Sequence, residues 1–216
     1  MKLLLCSEGF YTEELVKKCE ELVGKPRSDI NIAVINEAYA VEHDDNLRWV
    51  VNNLNLVEKN FGGRLELINL LALDLETVEK RIELHDVIFV VGGHIDYLRS
   101  VFKKTGFDKL LPKLLKTKVY VGSSAGSMVM GKRLSDKAYQ ILYGQRGTYG
   151  TTKYLEYVDL AFVPHLDPSK NPDRKEKLIE VARKHDGKIF GLYDDSAIVV
   201  EDGKIETIGS EPYELN

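Results

Sequence analysis

The sequence predicts a three-layer α/β/α sandwich around a mostly parallel sheet, with a C-terminal antiparallel hairpin. Three observations carry this prediction. Short apolar runs alternate along the chain with charged stretches whose apolar residues recur at helical spacing. The apolar runs are continuous rather than alternating, the pattern of strands covered by helices on both faces. Near the end, two strand-like runs flank Asp202-Gly203, a pair suited to a tight hairpin turn.

Taken in order, "KLLLCS" (2–7) is the first strand and "TEELVKKCEELVGK" (12–25) the first amphipathic helix. The strand "NIAVIN" (31–36) precedes the helical stretch "NLRWVVNNLNLVEKNFGG" (46–63), and "RLELIN" (64–69) follows it. Further strands are "DVIFVVGG" (86–93), "KVYVGS" (118–123), "LAFVPH" (160–165), "KIFGLYD" (188–194) and "AIVVED" (197–202). The segment 136–157, rich in Tyr, Gly and Thr, lacks clear periodicity and reads as a loop near the site. No internal repeat is present, and the length of 216 residues suits one domain spanning 1–216.

Composition narrows the function classes. With 44% hydrophobic and 30% charged residues and a net charge of −4, the chain has no electrostatic motive to bind nucleic acid or an anionic membrane. Two cysteines, Cys6 and Cys19, make neither a disulfide framework nor a C-x-x-C metal pair. The opening "MKLLLCSEGFYTEE" is too short in apolar residues for a signal-peptide core, and no run reaches the roughly 20 residues of a membrane span. A cytoplasmic protein, monomer or homodimer, is expected. Neither a G-x-G-x-x-G nor a Walker-type motif is present.

Ligands of open α/β sheets bind beyond the carboxyl ends of the strands. At one such end stands "VGSSAGS", in which Gly122, Ser124 and Gly126 satisfy G-x-S-x-G, the nucleophile elbow. The pattern selects Ser124 over Ser123, and the Ala125 amide at the start of the following helix can donate to an oxyanion. The glycine turn after "FVV" leaves the amides of Gly92 and Gly93 positioned to complete that oxyanion hole, with Gly93 opposite Ala125. The bland alternative is close strand-helix packing permitted by small residues.

A serine needs a base, and the base needs an orienting group. Of five histidines, His43, His85 and His185 occupy surface or capping contexts. His165 ends the strand "LAFVP", behind the restrictive Pro164, on the edge where Ser124 belongs. A carboxylate at the end of "GLYDD", Asp194 or Asp195, can orient that histidine, although adjacent aspartates are also good turn formers. The order Ser, His, Asp differs from the Ser, acid, His order of α/β-hydrolases, so another fold is indicated.

These residues together resemble the peptidase E family of aspartyl dipeptidases and cyanophycinases, whose sheet is related to the class I glutamine amidotransferase domain. The likeness runs from "KLLLCSEGF" through "VIFVVGGHIDYL", "VGSSAGS" and "FVPHLD" to "FGLYDDSAIVV". It implies a triad of Ser124, His165 and Asp194, the family acid being commonly Glu, and hydrolysis of short peptides, dipeptides with N-terminal Asp among them, without metal or organic cofactor. The family's Arg after the catalytic His, which holds an acidic substrate side chain, corresponds to Arg174. Where the family turn reads G-G-G-N-T, this chain has Val91, Gly92, Gly93, His94 and Ile95, so His94 joins Arg174 as a substrate-binding residue. Rival expectations are a non-catalytic small-molecule-binding or regulatory domain on the same fold and an esterase. Amidotransferase chemistry would require Cys at the elbow.

Overall fold

A computed structural model of the chain describes residues 1–42, 47–144 and 149–215. Its strands are β1 (Lys2–Cys6), β2 (Ile32–Ile35), β3 (Leu65–Leu67), β4 (Val87–Val90), β5 (Val119–Ser123), β6 (Ala161–Val163), β7 (Ile189–Gly191), β8 (Ala197–Glu201), β9 (Lys204–Ile208) and β10 (Tyr213–Leu215). Seven of them form one sheet in the order β3-β2-β4-β5-β1-β8-β9. The first five are parallel, and β8 and β9 add antiparallel, as expected from the hairpin signal. Asp202 and Gly203 both have positive φ, 49° and 82°, the twist that a two-residue hairpin turn demands.

The continuous hydrophobicity of the inner strands has a direct structural meaning. Successive side chains of a strand point to opposite faces, so Leu3, Leu5, Ile88, Val90 and Tyr120 enter one core while Leu4, Cys6, Val87, Phe89 and Val121 enter the other. The second core is covered by α1 (Glu13–Val23) and α2 (Arg48–Asn60), which contribute Leu15, Val16, Cys19 and Val57. The first is covered by α3 (Leu75–Glu83), α4 (Ile95–Thr105), α5 (Phe107–Leu114), α6 (Ala125–Met128), α7 (Asp136–Tyr143) and α8 (Arg174–Ala182). No described helix is long and apolar enough to cross a membrane.

The structure departs from the expected single sheet in one respect. β6 and β7 do not join the large sheet but pair with each other in parallel, and β10 pairs antiparallel to β7. The reason is competition for edges: β1 is already flanked by β5 and β8, leaving no vacancy beside it. β3 also differs from the doubly buried expectation, because it is an edge strand whose Leu65 and Leu67 are exposed. The segment 136–157, read as a loop, begins as α7, capped by Ser135, whose Oγ accepts from the Ala138 amide. Residues 145–148 of it, like His43, lie outside the described residues. Its later part is tied down by the Leu155 and Tyr157 amides donating to Val129 and Met130.

Candidate active site

The C-terminal edge of β5 lies between those of β4 and β1, and the chain leaves it through a strained turn. Ser124 has φ 49° and ψ −113°, a region that costs a non-glycine residue roughly 1–3 kcal/mol. The surroundings hold it there: its amide donates to the carbonyls of Cys6 and Ser7 at 3.2 and 3.0 Å. The Ser127 hydroxyl donates to Cys6 O at 2.6 Å, and the buried Tyr120 hydroxyl donates to Gly126 O at 2.6 Å. Glycines are required on both sides. A Cβ at Gly126 would sit 2.1 Å from Val90 O, and one at Gly122 would sit 2.6 Å from the backbone of Gly126. Ser123 is buried, its Oγ donating to Asn53 Oδ1 at 3.4 Å. The elbow pattern therefore picks out the serine that the turn lifts from the sheet.

The second glycine turn faces this serine. A Cβ on Gly92 would lie 3.0 Å from Ser124 Cβ, and Gly93, at φ 130°, packs its backbone directly on Ala38. No described residue accepts from the amides of Gly93 or Ala125.

His165 arrives from the end of β6, also with positive φ, 63°. Its amide donates to Ser7 Oγ at 2.9 Å, which ties the small sheet to the end of β1. The ring spans the gap: Nε2 lies 3.1 Å from Ser124 Oγ, and Nδ1 lies 2.9 Å from Asp194 Oδ1. An ionised carboxylate can only accept, so Nδ1 carries the proton and Nε2 of the neutral ring is left free to accept from the serine. Of the two aspartates, Asp194 is the one that reaches His165, whereas Asp195 turns to the Ser210 hydroxyl at 2.8 Å.

Two residues without a sequence signal complete the cluster. Lys170 Nζ lies 2.6 Å from Asp194 Oδ2, and Glu8 Oε2 lies 3.1 Å from His165 Nδ1. Burial opposes ionisation of Asp194, but the hydrogen bonds and charges of His165 and Lys170 prevail and hold its pKa at about 2. Burial likewise disfavours the imidazolium of His165, yet its pKa is raised because Asp194 and Glu8 outweigh that penalty. Among the described residues, Glu8, His165 and Asp194 are the set that could ligate a metal ion, their atoms lying within 4.8 Å of one another. The Lys170 ammonium already supplies this cluster with a cation.

A cavity of about 630 Å³ opens over Ser124, lined by Gly92 and Gly93, by Trp49 of α2, by Tyr143 of α7 and by Arg174 of α8. Arg174 stacks over the Tyr143 ring at 4.4 Å and donates from Nη2 to Asn171 Oδ1 at 3.1 Å. Its Nη1 is buried with no partner among the described residues. His94 is not brought to this wall. It is the N-cap of α4, accepting from the Tyr97 amide at 3.4 Å, and its ring packs edge-on against Tyr149. His85, expected as a surface or capping residue, is fully buried, with Nδ1 donating to Arg81 O at the end of α3.

A mostly parallel α/β sheet whose central strand ends in a strained serine turn, with an imidazole in reach and a cavity above, is a frame that can support hydrolysis at that edge. Residues 3–208 match peptidase family S51, and the chain belongs to that family. Among its relatives is an uncharacterized peptidase of Listeria monocytogenes, 26% identical over 155 residues, covering 69% of this chain and 73% of the relative. Another, from Listeria innocua, is 28% identical over 137 residues, covering 62% of this chain and 64% of the relative. Two crystal structures share the fold. A candidate peptidase E protein from Listeria monocytogenes EGD-e superposes with a TM-score of 0.76 at 22% identity, covering 97% of this chain and 98% of its own. A peptidase from an acI-B1 actinobacterium gives 0.68 at 15% identity, covering 99% and 93%.

Proposed function

We propose that this peptidase is of the serine type and hydrolyses short peptides, dipeptides with N-terminal Asp in particular, through an acyl-enzyme. The observation that carries this reading is the continuous line from Ser124 Oγ through the His165 ring to Asp194, at 3.1 and 2.9 Å. His165 Nε2 takes the hydroxyl proton as Oγ bonds to the scissile carbonyl carbon, and Asp194 holds the ring and balances the imidazolium. The amides of Ala125 and Gly93 donate to the oxyanion. When the C–N bond breaks, His165 returns the proton to the leaving amine, and water repeats the sequence on the acyl-enzyme.

Substrate preference is read from Arg174. Among the described residues, one buried nitrogen of the Arg174 guanidinium has no acceptor, a cost in free energy that a ligand carboxylate can offset, and the planar fork suits bidentate pairing. The cavity volume suits a small ligand rather than a folded chain. The test is a dipeptide library incubated with wild type, Ser124→Ala and Arg174→Met, with release of free amino acids followed. The expected result is cleavage concentrated on Asp-Xaa, lost in Ser124→Ala and moved toward uncharged first residues in Arg174→Met. Wild-type activity in Ser124→Ala overturns the serine mechanism, and unaltered selectivity in Arg174→Met overturns the substrate assignment.

A further inference from the structure

We propose that Glu8 is a second carboxylate partner of His165, a positioning residue that, with Asp194 and Lys170, makes the cluster electrically neutral only when the imidazole is protonated. The inference rests on the serine-peptidase reading and adds to it a residue outside the triad.

His165 Nδ1 has one hydrogen to give and two carboxylates within reach, Asp194 Oδ1 at 2.9 Å and Glu8 Oε2 at 3.1 Å. Asp194 takes the hydrogen bond, but its other oxygen is paired with the Lys170 ammonium at 2.6 Å, so much of its charge is answered before the imidazole is considered. Glu8 supplies the unanswered charge. Counting Glu8 and Asp194 as −1 each and Lys170 as +1, the cluster carries −1 around a neutral imidazole and 0 around an imidazolium. The proton transfer from Ser124 creates that imidazolium, so the electrostatic field favours the state the reaction passes through.

The placement of these groups follows from the fold. Glu8 immediately follows Ser7, whose Oγ accepts from the His165 amide, so one short segment beyond β1 grips the histidine by backbone and by ring. Tyr11 of the same segment lies under the Lys170 ammonium, 5.0 Å from ring centroid to Nζ. The charged groups at the imidazole are thus Glu8 from the end of β1, Asp194 from beyond β7 and Lys170 from the stretch before α8. Arg174 and Glu42 line the same cavity. The imidazole is partly buried, 23% exposed, so a charge beside it is screened less than one in open solvent.

The test follows the His165 ring by NMR in the full-length protein carrying 13C-labelled histidine, its resonance assigned by its loss in His165→Gln. In Glu8→Gln the His165 titration midpoint should fall by about one pH unit, the effect of removing an opposite charge at this range. Glu8→Asp, which keeps the charge, should hold it near the wild-type value. With a peptide substrate, the acid limb of the kcat/KM profile should move down by the same amount in Glu8→Gln while KM stays unchanged. A merely structural role would lower the plateau and leave the limb in place. An unmoved midpoint in folded Glu8→Gln overturns the proposal. If that variant does not fold, the Glu8 carboxyl resonance of the wild type decides, since it must respond as His165 titrates, and indifference overturns the proposal equally. The midpoint is read without turnover, so failure of the serine-peptidase reading, seen as activity retained in Ser124→Ala, remains distinguishable.

Discussion

Replacing Asp194 by Asn tests the electrostatics of the site through the stability of the fold. The carboxyl is held at about 2 in the folded chain against an ordinary value near 3.9. A carboxyl lowered by folding stabilises the native state above its unfolded pKa and loses that contribution as pH falls toward the folded value. Because the side chain is only 2% exposed, solvent screening takes little from the effect. At 1.36 kcal/mol per pH unit the contribution is about 2.6 kcal/mol above pH 5, and about half of it is gone at pH 3. His165, with a raised pKa, stays protonated throughout that interval and adds nothing to the slope. The assay is urea unfolding of wild type and Asp194→Asn at pH 5, 4 and 3. The stability gap between them should narrow by about 1.3 kcal/mol from the first to the last. A gap that stays constant with pH refutes the reasoning, because it means that Asp194 titrates alike in the folded and unfolded chain.

Two further substitutions probe the supports of the site. Gly126→Ala forces a Cβ to within 2.1 Å of Val90 O, so α6 must retreat from β4. Overpacking of this kind costs about 1–3 kcal/mol, and a shift of about 1 Å at Ser124 lowers kcat by roughly 100-fold; thermal melts together with kcat measure both, and wild-type values for either contradict the packing argument. Arg133→Met strips the buried Asp96 of its two-pronged partner, whose Nε and Nη2 lie 3.1 and 2.7 Å from the carboxylate, leaving the Tyr154 hydroxyl. The expected loss is about 3–5 kcal/mol in denaturant unfolding. A loss under about 1 kcal/mol would show that this pair does not anchor the segment around Tyr154.

How much was legible differs from residue to residue. Ser124 could be chosen over Ser123 because the reason is local: only glycine fits at Gly122 and Gly126, and the spacing then decides which serine is lifted. Arg174 rests on resemblance alone in the sequence, and only the fold shows the Tyr143 ring stacked beside it and its buried Nη1 without a partner among the described residues. His94 gave no sequence cue to its place at the start of α4, because a histidine is an unusual N-cap. Glu8 follows a strand end, the signal that pointed to the elbow, but no spacing in the sequence tied it to a histidine 157 positions away.

By itself, then, the sequence determined what depends on near neighbours: the doubly covered inner strands, the hairpin at Asp202-Gly203 and the elbow at Ser124. Periodicity and steric fit act over a few residues, and a sequence records both. Tertiary structure alone decided that β6 and β7 form their own sheet, since that depends on β8 having taken the free edge of β1. It also gave different partners to Asp194 and Asp195, two like residues one position apart. Long-range contacts separate them: Lys170 and His165 meet the first, and Ser210 meets the second.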